Sequence, residues 1–210
     1  KAKAVVKMKK ILNNTKLCML IPILICMVVL LFTMYFSSAF VMSDDLFDFT
    51  FKLDGAVYRL TCDFKDFTEN GWSISSNHIT EKTMVQGDTQ ESFTMSKGDN
   101  MIFVEAYNMS GNAKMLKDCK IGEIKVDDHC QNGFVIAKGI KIKSSKKEVE
   151  DTFGVPDNRE EYLCSFSESI CYKNEKNGKY NGVYFLFNSF DNKECTLITL
   201  RNILKTDDCK

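Results

Sequence analysis

Two histidines and no Cys-x-x-Cys pair occur among the 210 residues of this chain, so a zinc site would lack its second pair of ligands. Glycine-rich phosphate loops, nucleophile elbows and His-Glu-x-x-His motifs are absent as well. We therefore predict no catalytic residue, no cofactor and no metal site, and we expect that the protein is not an enzyme.

Acidic residues are missing from the first 43 positions, which hold six lysines and a run of twenty uncharged residues, Leu17–Phe36. As a helix this run would be about 30 Å long, the thickness of the hydrocarbon core of a bilayer. Lysines stay on the cytoplasmic side of a membrane segment, so we expect the chain beyond Ser43 to lie outside the cytoplasm. The sequence thus predicts a single-pass cell-membrane protein in contact with the lipid bilayer through Leu17–Phe36.

Two fates are open for the membrane run. Its length favours a retained signal-anchor, because the apolar stretch of a cleaved signal peptide is shorter, about 7–15 residues. Ser37 and Ala39 nevertheless provide the small residues of a cleavage site, so secretion after cleavage near Ala39 is the alternative. Residues 1–7 precede Met8-Lys9-Lys10, a typical start of bacterial export signals, and we leave them out of fold arguments as read-through or a fragment boundary.

The chain beyond residue 43 has 22 basic and 28 acidic residues, a net charge of −6. This acidic balance argues against nucleic acid and against an anionic lipid surface as partners, so we expect no nucleic-acid partner. The segment is long enough for a fair-sized core, and its aromatic residues recur at strand-like spacing. We expect a globular extracytoplasmic part whose partner is an unidentified envelope protein or secreted protein.

Seven cysteines lie beyond the membrane run, in a compartment that permits disulfides. Because seven is odd, at least one thiol is left over, and Cys209 in the polar tail is the candidate free thiol. Cys164 and Cys171 would face each other across a hairpin if Ser167-Glu168 were its two-residue turn. The sequence leaves the pairing open among four candidate disulfide cysteines, Cys62, Cys119, Cys164 and Cys171.

Two similar units follow one another beyond the membrane run. In each, strand-like residues lead to a short capped helix and then to a meander of strands. Asp63 is the predicted N-cap of the first helix, which stops at Gly71. In the second, Ser145 and Glu148 have capping-box spacing, and Gly154 ends the helix. We therefore predict an α+β fold with an N-terminal transmembrane helix and two tandem modules, each a short helix packed on an antiparallel sheet.

Alternating apolar residues and turn signals locate the strands of these modules. Asp54-Gly55 and the segment Lys97–Asn100 mark tight turns. The predicted strands are Thr80–Gln86, Glu91–Ser96, Met101–Asn108, Cys119–Val126, Glu160–Ser167, Ile170–Asn174, Tyr180–Phe187 and Cys195–Arg201. The resulting segments are a cytoplasmic basic stub (1–16), a transmembrane helix (17–36), a linker (37–46), a first module (47–130), a second module (131–204) and a tail (205–210).

One segment of the second unit resembles a known pattern. A glycine, a polar N-cap, a short helix and a closing Phe153-Gly-x-Pro156 follow one another in residues 139–157. This order resembles the small α+β envelope modules of the BamE (SmpA/OmlA) lipoproteins and the β-lactamase-inhibitor proteins. The first unit is similar to uncharacterised membrane-anchored proteins of Gram-positive bacteria, through Gly55, Tyr58, Leu60, Asp66, Phe67, Gly71 and Trp72. The resemblance implies a fold of tandem modules that bind proteins, and it transfers no binding residue.

Three polar or aromatic features are candidate sites. His129 and Cys130 follow Asp127-Asp128, but neighbours in sequence do not face each other in a strand, so a polar linker is the favoured interpretation. Asn108-Met-Ser110 matches an N-glycosylation sequon, which matters only in a eukaryotic source. Trp72, the sole tryptophan, is predicted to fill the core rather than to anchor a partner.

Two functions of different class remain. The first is a membrane-tethered extracytoplasmic protein-binding or scaffold module, and inhibition of a hydrolase is a narrower version of it. It predicts clustered aromatic residues on the exposed face of one sheet. The alternative is an extracytoplasmic thiol-redox protein or another enzyme that uses a free cysteine, which requires a thiol of low pKa.

Overall fold

The computed structural model describes residues 41–75, 78–130, 133–162, 167–174, 181–188 and 193–203. The predicted cytoplasmic stub and membrane segment lie outside the described residues, as do Cys164, Cys209 and the C-terminal tail. Residues Met42–Lys210 form one compact unit.

Two α-helices occur among the described residues, and both were expected from their capping signals. Helix α1 spans Phe64–Thr68, and the backbone N–H of Asp63 donates to the carboxylate of Asp66 at 2.9 Å. Helix α2 spans Lys146–Phe153, and the hydroxyl of Ser145 accepts a hydrogen bond from the backbone N–H of Glu148 at 3.1 Å. These contacts satisfy backbone donors that a helix start leaves without partners, so the sequence located the start of both helices correctly. Helix α2 ends before Gly154 as predicted, whereas α1 ends at Thr68, before the predicted stop at Gly71.

The other elements of the described residues are mainly β-strands, all paired antiparallel. A sheet of nine strands has the order β11-β12-β13-β14-β9-β7-β6-β4, and β3 adds to β9 beside this path. A three-stranded sheet has the order β10-β1-β2, and β5 pairs with β8. The strands are β1 Thr50–Leu53, β2 Ala56–Arg59, β3 Cys62–Asp63, β4 Ser73–Ile74, β5 Met84–Val85, β6 Thr89–Lys97, β7 Asn100–Asn108, β8 Lys114–Met115, β9 Lys120–Asp127, β10 Val135–Ile136, β11 Asn158–Tyr162, β12 Ser167–Lys173, β13 Gly182–Asn188 and β14 Cys195–Arg201.

The prediction of two helix-on-sheet modules is wrong, because one sheet crosses the expected boundary between residues 130 and 131. Strand β9 of the first half pairs with β14 of the second half, with Val126 opposite Ile198. Strand β10 of the second half likewise pairs with β1 of the first. Separate modules would leave the edges of β9 and β14 open, whereas pairing them satisfies their backbone groups. The fold is therefore mostly β, with two short helices added to one large sheet.

The core lies on one face of the large sheet. Phe64 of α1 packs against Phe93 of β6 with ring centroids 6.1 Å apart, and Phe153 of α2 lies 6.4 Å from Phe185 of β13. The three-stranded sheet belongs to the same buried cluster, as does Trp72, which confirms its predicted core position. The described residues leave the opposite face of the large sheet without a comparable cover, and this face is called the open face below.

The tight turns agree only in part with the expected ones. Asp54 and Gly55 have φ values of 46° and 88°, as the tight turn between β1 and β2 requires, and Gly98 turns the chain from β6 to β7. Ser167 and Glu168, the predicted turn of a hairpin, instead begin strand β12 and pair with Tyr162 and Glu161. The predicted strand Thr80–Gln86 is reduced to Met84–Val85.

Candidate functional site

The open face carries a continuous row of side chains that crosses six strands. Because side chains alternate between the two faces of a strand, direct cross-strand partners lie on the same face. The register places Phe103 opposite Lys125, Lys125 opposite Thr199, and Thr199 opposite Tyr184. The row continues to the two sides, so the central row consists of Thr94, Phe103, Lys125, Thr199, Tyr184 and Cys171.

A network of charged side chains on β7, β9 and β14 adjoins this row and shares Lys125 with it. Glu123 is opposite both Glu105 and Arg201 in the strand register. Its carboxylate is 2.8 Å from the Nζ of Lys125 and 3.2 Å from the Nε of Arg201. The Nζ of Lys125 also lies 3.6 Å from Glu105. Two carboxylates are thus neutralised by two cations, and a buried carboxylate requires such compensation.

Tyr107 links the two ends of this network. Its hydroxyl donates to Glu105 at 2.6 Å and accepts a hydrogen bond from the Nη2 of Arg201 at 3.2 Å. The hydroxyl of Ser92 donates to the other oxygen of Glu105 at 3.2 Å. We call Glu105, Tyr107, Glu123, Lys125 and Arg201 the ion network.

The pKa values of Glu105 and Lys125 are shifted in the directions that favour their charged forms. Burial by itself raises the pKa of Glu105, but hydrogen bonds from Tyr107 and Ser92 and the charge of Lys125 outweigh it and hold the pKa below its usual value. Burial lowers the pKa of Lys125, yet its contacts with Glu123 and Glu105 raise it overall. Glu105 and Lys125 are therefore charged at neutral pH.

A β-bulge in β9 makes room for Tyr107. Glu105 pairs with Glu123, but the next residue of β7, Ala106, pairs with Ile121, so Gly122 has no partner in β7. A Cβ atom on Gly122 would lie 2.8 Å from the Cδ2 of Tyr107. Glycine is needed here because the aromatic ring approaches the backbone more closely than a methyl group would permit.

Two cavities flank Lys125 on the open face. The larger, of about 470 Å³, lies over β12, β13, β14 and β9. The smaller, of about 230 Å³, lies over β6, β7 and β9, beside the exposed ring of Phe103. Glu123 and Lys125 line both cavities, so the two cavities adjoin each other at the ion network. The larger cavity is called the Leu186–Thr199 groove after two residues that line it.

The candidate disulfide cysteines are thiols wherever the structure describes them. Cys62, Cys119 and Cys171 are free and buried. Burial raises the pKa of each. Asn158, not Cys164, lies opposite Cys171 in the hairpin of β11 and β12, so the premise of facing cysteines is wrong. The disulfide pairings stay predictions, as does the free thiol at Cys209, which lies outside the described residues together with Cys164.

His129 and the two preceding aspartates do come together at the end of β9. The Nδ1 of His129 lies 3.2 Å from Asp127 and 3.4 Å from Asp128. Cys130 points elsewhere, since it is buried in the core cluster. Burial and the charges of Asp127 and Asp54 raise the pKa of Cys130 to about 11. A protonated thiol is a poor nucleophile, so these residues do not form a cysteine–histidine pair.

Sequence reasoning missed the ion network altogether. A signal was present in β9, where Glu123 and Lys125 alternate with the apolar Ile124 and Val126. Charges at alternate positions indicate which face of the strand is away from the core. Arg201, which contacts Glu123, lies 76 positions after Lys125 in the sequence. Only the pairing of β9 with β14 brings Arg201 close to Glu123.

The open face also differs from the expected cluster of aromatic side chains. Phe103 is its exposed ring, while Tyr107 and Tyr184 are half-buried or buried and take part in polar contacts. The face is instead a mixture of fixed charges, hydroxyl groups and the partly buried aliphatic side chains of Leu186 and Leu197.

Comparison of the chain with known protein families, with curated proteins and with solved structures finds no match. The resemblance to the BamE and inhibitor modules therefore stays a prediction. Within the described part of the chain, no helix is both long enough and apolar enough to cross a membrane.

Proposed function

We propose that the protein is a membrane-tethered extracytoplasmic binding protein and that the open face is its docking surface for another protein. The sequence supports the tether through Leu17–Phe36 and the lysines before it. The single observation that carries the docking surface is the ion network, which holds charged groups in place on a face that the described residues leave uncovered.

Stability alone is a weak reason to keep such a network. Taking Glu123 out of water is costly, and buried ion pairs are often no more stabilising than apolar side chains of the same size. Its side chain is 2% exposed, whereas that of Lys125 is 40% exposed. A buried carboxylate that orients a more exposed cation is suited to recognition, since fixed charges give an interface its specificity.

The size of the surface fits a modest interface. Across the strands, six strands at about 4.8 Å spacing give the open face a width of ~24 Å. Along the strands, seven residues at about 3.3 Å each give it a length of ~23 Å. This gives a footprint of about 550 Å², compared with about 800 Å² on each partner in a standard-sized interface. A short segment of a partner protein, bound reversibly, suits this footprint better than a permanent subunit.

A photo-cross-linking amino acid at position 103 tests the docking surface in the native membrane. Position 155 is the matched control, because Val155 is also exposed but lies outside the large sheet. We expect a discrete adduct from position 103 that competes with excess unlabelled protein, and none from position 155. Adducts of equal yield from both positions, or none from position 103, would contradict the docking surface.

The tether has its own test. We expect the full chain to stay in the membrane after extraction with alkaline carbonate and to be cut by protease added from outside. Release of the part beyond residue 39 into the medium would instead support cleavage near Ala39.

A further inference from the structure

The Leu186–Thr199 groove has a polar region at the point where the central row meets the ion network. Lys125 is directly opposite Thr199, and Arg201 follows Thr199 by two residues, so the three side chains share the open face. All three line the groove. They place an ammonium group, a hydroxyl and a guanidinium group around one region of this cavity.

The hydroxyl of Thr199 lies at the wall of the groove. Thr199 is 8% exposed and lines the larger cavity. Its hydroxyl oxygen does not belong to the buried polar atoms that lack a partner, so it is reachable from the cavity. It can therefore donate a hydrogen bond to a ligand oxygen in the groove.

Around Thr199, the carboxylates are more deeply buried than the cations. The carboxylates of Glu123 and Glu105 are 2% and 13% exposed, whereas the side chains of Lys125 and Arg201 are 40% and 29% exposed. The network has no net charge, but its accessible side is the cationic one. An approaching group therefore meets two cations first, although the protein beyond residue 43 is acidic as a whole.

Both cations keep donors for a ligand. Arg201 donates to Tyr107 through Nη2, and its Nε lies 3.2 Å from Glu123 without a hydrogen bond. No hydrogen bond between the described residues uses the N–H groups of Nη1. The ammonium of Lys125 has three donors and faces two carboxylates. A planar carboxylate can accept from a guanidinium and a hydroxyl at the same time.

The geometry points to Lys125, Thr199 and Arg201 as a subsite for a carboxylate side chain of the partner protein, with an aliphatic neighbour in contact with Leu186 and Leu197. This inference rests on the proposed docking surface. A monoanion is favoured over a phosphate because the network is already neutral, so each further negative charge is opposed by Glu123 and Glu105. The two leucines are partly buried and line the same cavity, which provides the apolar contact.

Isovalerate, a branched aliphatic monocarboxylate, is the probe for this subsite. Its binding is measured on the full chain in neutral-lipid nanodiscs through the ¹³C methyl signals of Leu186, Leu197 and Thr199. We expect saturable shifts with a millimolar Kd, and binding at least tenfold weaker for isovaleramide, which has the same shape without the charge. Equal binding of both compounds, tighter binding of inorganic phosphate, or no saturable shift would overturn the carboxylate subsite.

Thr199→Val is the matched variant, since it keeps the β-branched shape and removes the hydroxyl. We expect it to weaken isovalerate binding about fivefold to tenfold while the buried Trp72 keeps its native fluorescence. Unchanged affinity would refute the role of the hydroxyl. An adduct at position 103 without isovalerate binding leaves the docking surface standing and removes the subsite. Isovalerate binding without an adduct overturns the protein-docking function and with it the assignment to a partner's side chain.

Discussion

Substitution of Gly122 by alanine tests how tightly Tyr107 is held between the sheet and the ion network. The new methyl group would lie 2.8 Å from Cδ2 and 3.1 Å from Cε2 of the ring, whereas carbon atoms in contact are about 3.5–4.0 Å apart. The ring cannot simply move away, because its hydroxyl is fixed by Glu105 at 2.6 Å and by Arg201 at 3.2 Å.

The magnitude follows from three contributions. Overpacking of this kind costs about 1–3 kcal/mol of the free energy of unfolding. If the ring relieves the clash by leaving Glu105, a hydrogen bond to a charged group is lost at about 1.5–3 kcal/mol. The alanine also restricts the unfolded chain, which offsets about 0.4–1 kcal/mol. We expect a net loss of about 2 kcal/mol.

Urea unfolding followed by the fluorescence of Trp72 measures this loss, since the sole tryptophan is buried in the core. Gly111→Ala is the control, because a Cβ atom at that position would have no neighbouring atom within 4 Å, and its effect should stay within about 0.5 kcal/mol. The double variant Gly122→Ala, Tyr107→Leu should be no less stable than Tyr107→Leu alone. Wild-type stability of Gly122→Ala, or full additivity in the double variant, would refute the reasoning.

Three further predictions concern buried polar groups. Glu168→Gln should lower the free energy of unfolding by about 1–3 kcal/mol, because it removes the carboxylate that contacts Lys146 and Lys193. Burial raises the pKa of Glu168, but the two lysines outweigh it and hold the pKa below its usual value. The stabilisation is therefore complete above about pH 4.3 and lost as the pH falls through the lowered pKa. Urea titrations at pH 6 and pH 3 should show a larger acid loss for wild type than for the variant, and equal losses would contradict the assignment. Cys130 should react with iodoacetamide at pH 7.5 only after unfolding, since its pKa is about 11; rapid labelling of the folded protein, read by mass spectrometry, would show that its thiol is activated. Asn108→Asp should cost about 1–3 kcal/mol, because the buried amide donates to two backbone carbonyls at 2.9 Å and 2.8 Å. An unchanged melting temperature would count against this, and the same two bonds make Asn108 a poor glycosylation acceptor.

The sequence predicted the local elements well, because their causes are local. Ser145 and Glu148 lie within one turn of each other, so the start of α2 could be read from their spacing. Strand β14 was predicted with the bounds that the structure gives, Cys195–Arg201, from its apolar alternation. The predicted strand Tyr180–Phe187 corresponds to β13, Gly182–Asn188, which lies between β12 and β14.

The pairing of distant strands could not be predicted in the same way. The alternation in β9 and β14 is satisfied by any antiparallel neighbour, so it does not specify that Val126 lies opposite Ile198. The apparent repetition of helix and strands in the two halves favoured separate modules instead. The ion network was missed for the same reason, since Glu123 and Arg201 meet only through this pairing.

The prediction that the hairpin turns at Ser167-Glu168 failed for a different reason. A two-residue hairpin turn needs positive φ angles, which favour glycine, asparagine or aspartate, and Ser167-Glu168 contains none of these. The predicted turn rested only on the idea of facing cysteines. In the structure Glu168 is buried against Lys146, which anchors the start of α2 to β12. Glu168 therefore contributes to packing although it lies in a polar stretch of the sequence. Its partner Lys146 is 22 positions earlier in the chain, so the local sequence around Glu168 did not reveal the contact.

The pairing of β9 with β14 also has a consequence for the order in which the protein folds. A chain synthesised from its N-terminus completes β9 long before β14 exists. On the edge that β14 will occupy, β3 pairs only with Lys120 and Ile121, so the backbone groups of Glu123–Asp127 stay without a strand partner until β14 is made. Contacts between residues so far apart in sequence slow folding and leave partly formed sheets prone to aggregation. The native topology therefore cannot form until the last strand has been made, and a nascent chain that ends before residue 195 has no native partner for Glu123–Asp127 on this edge of β9.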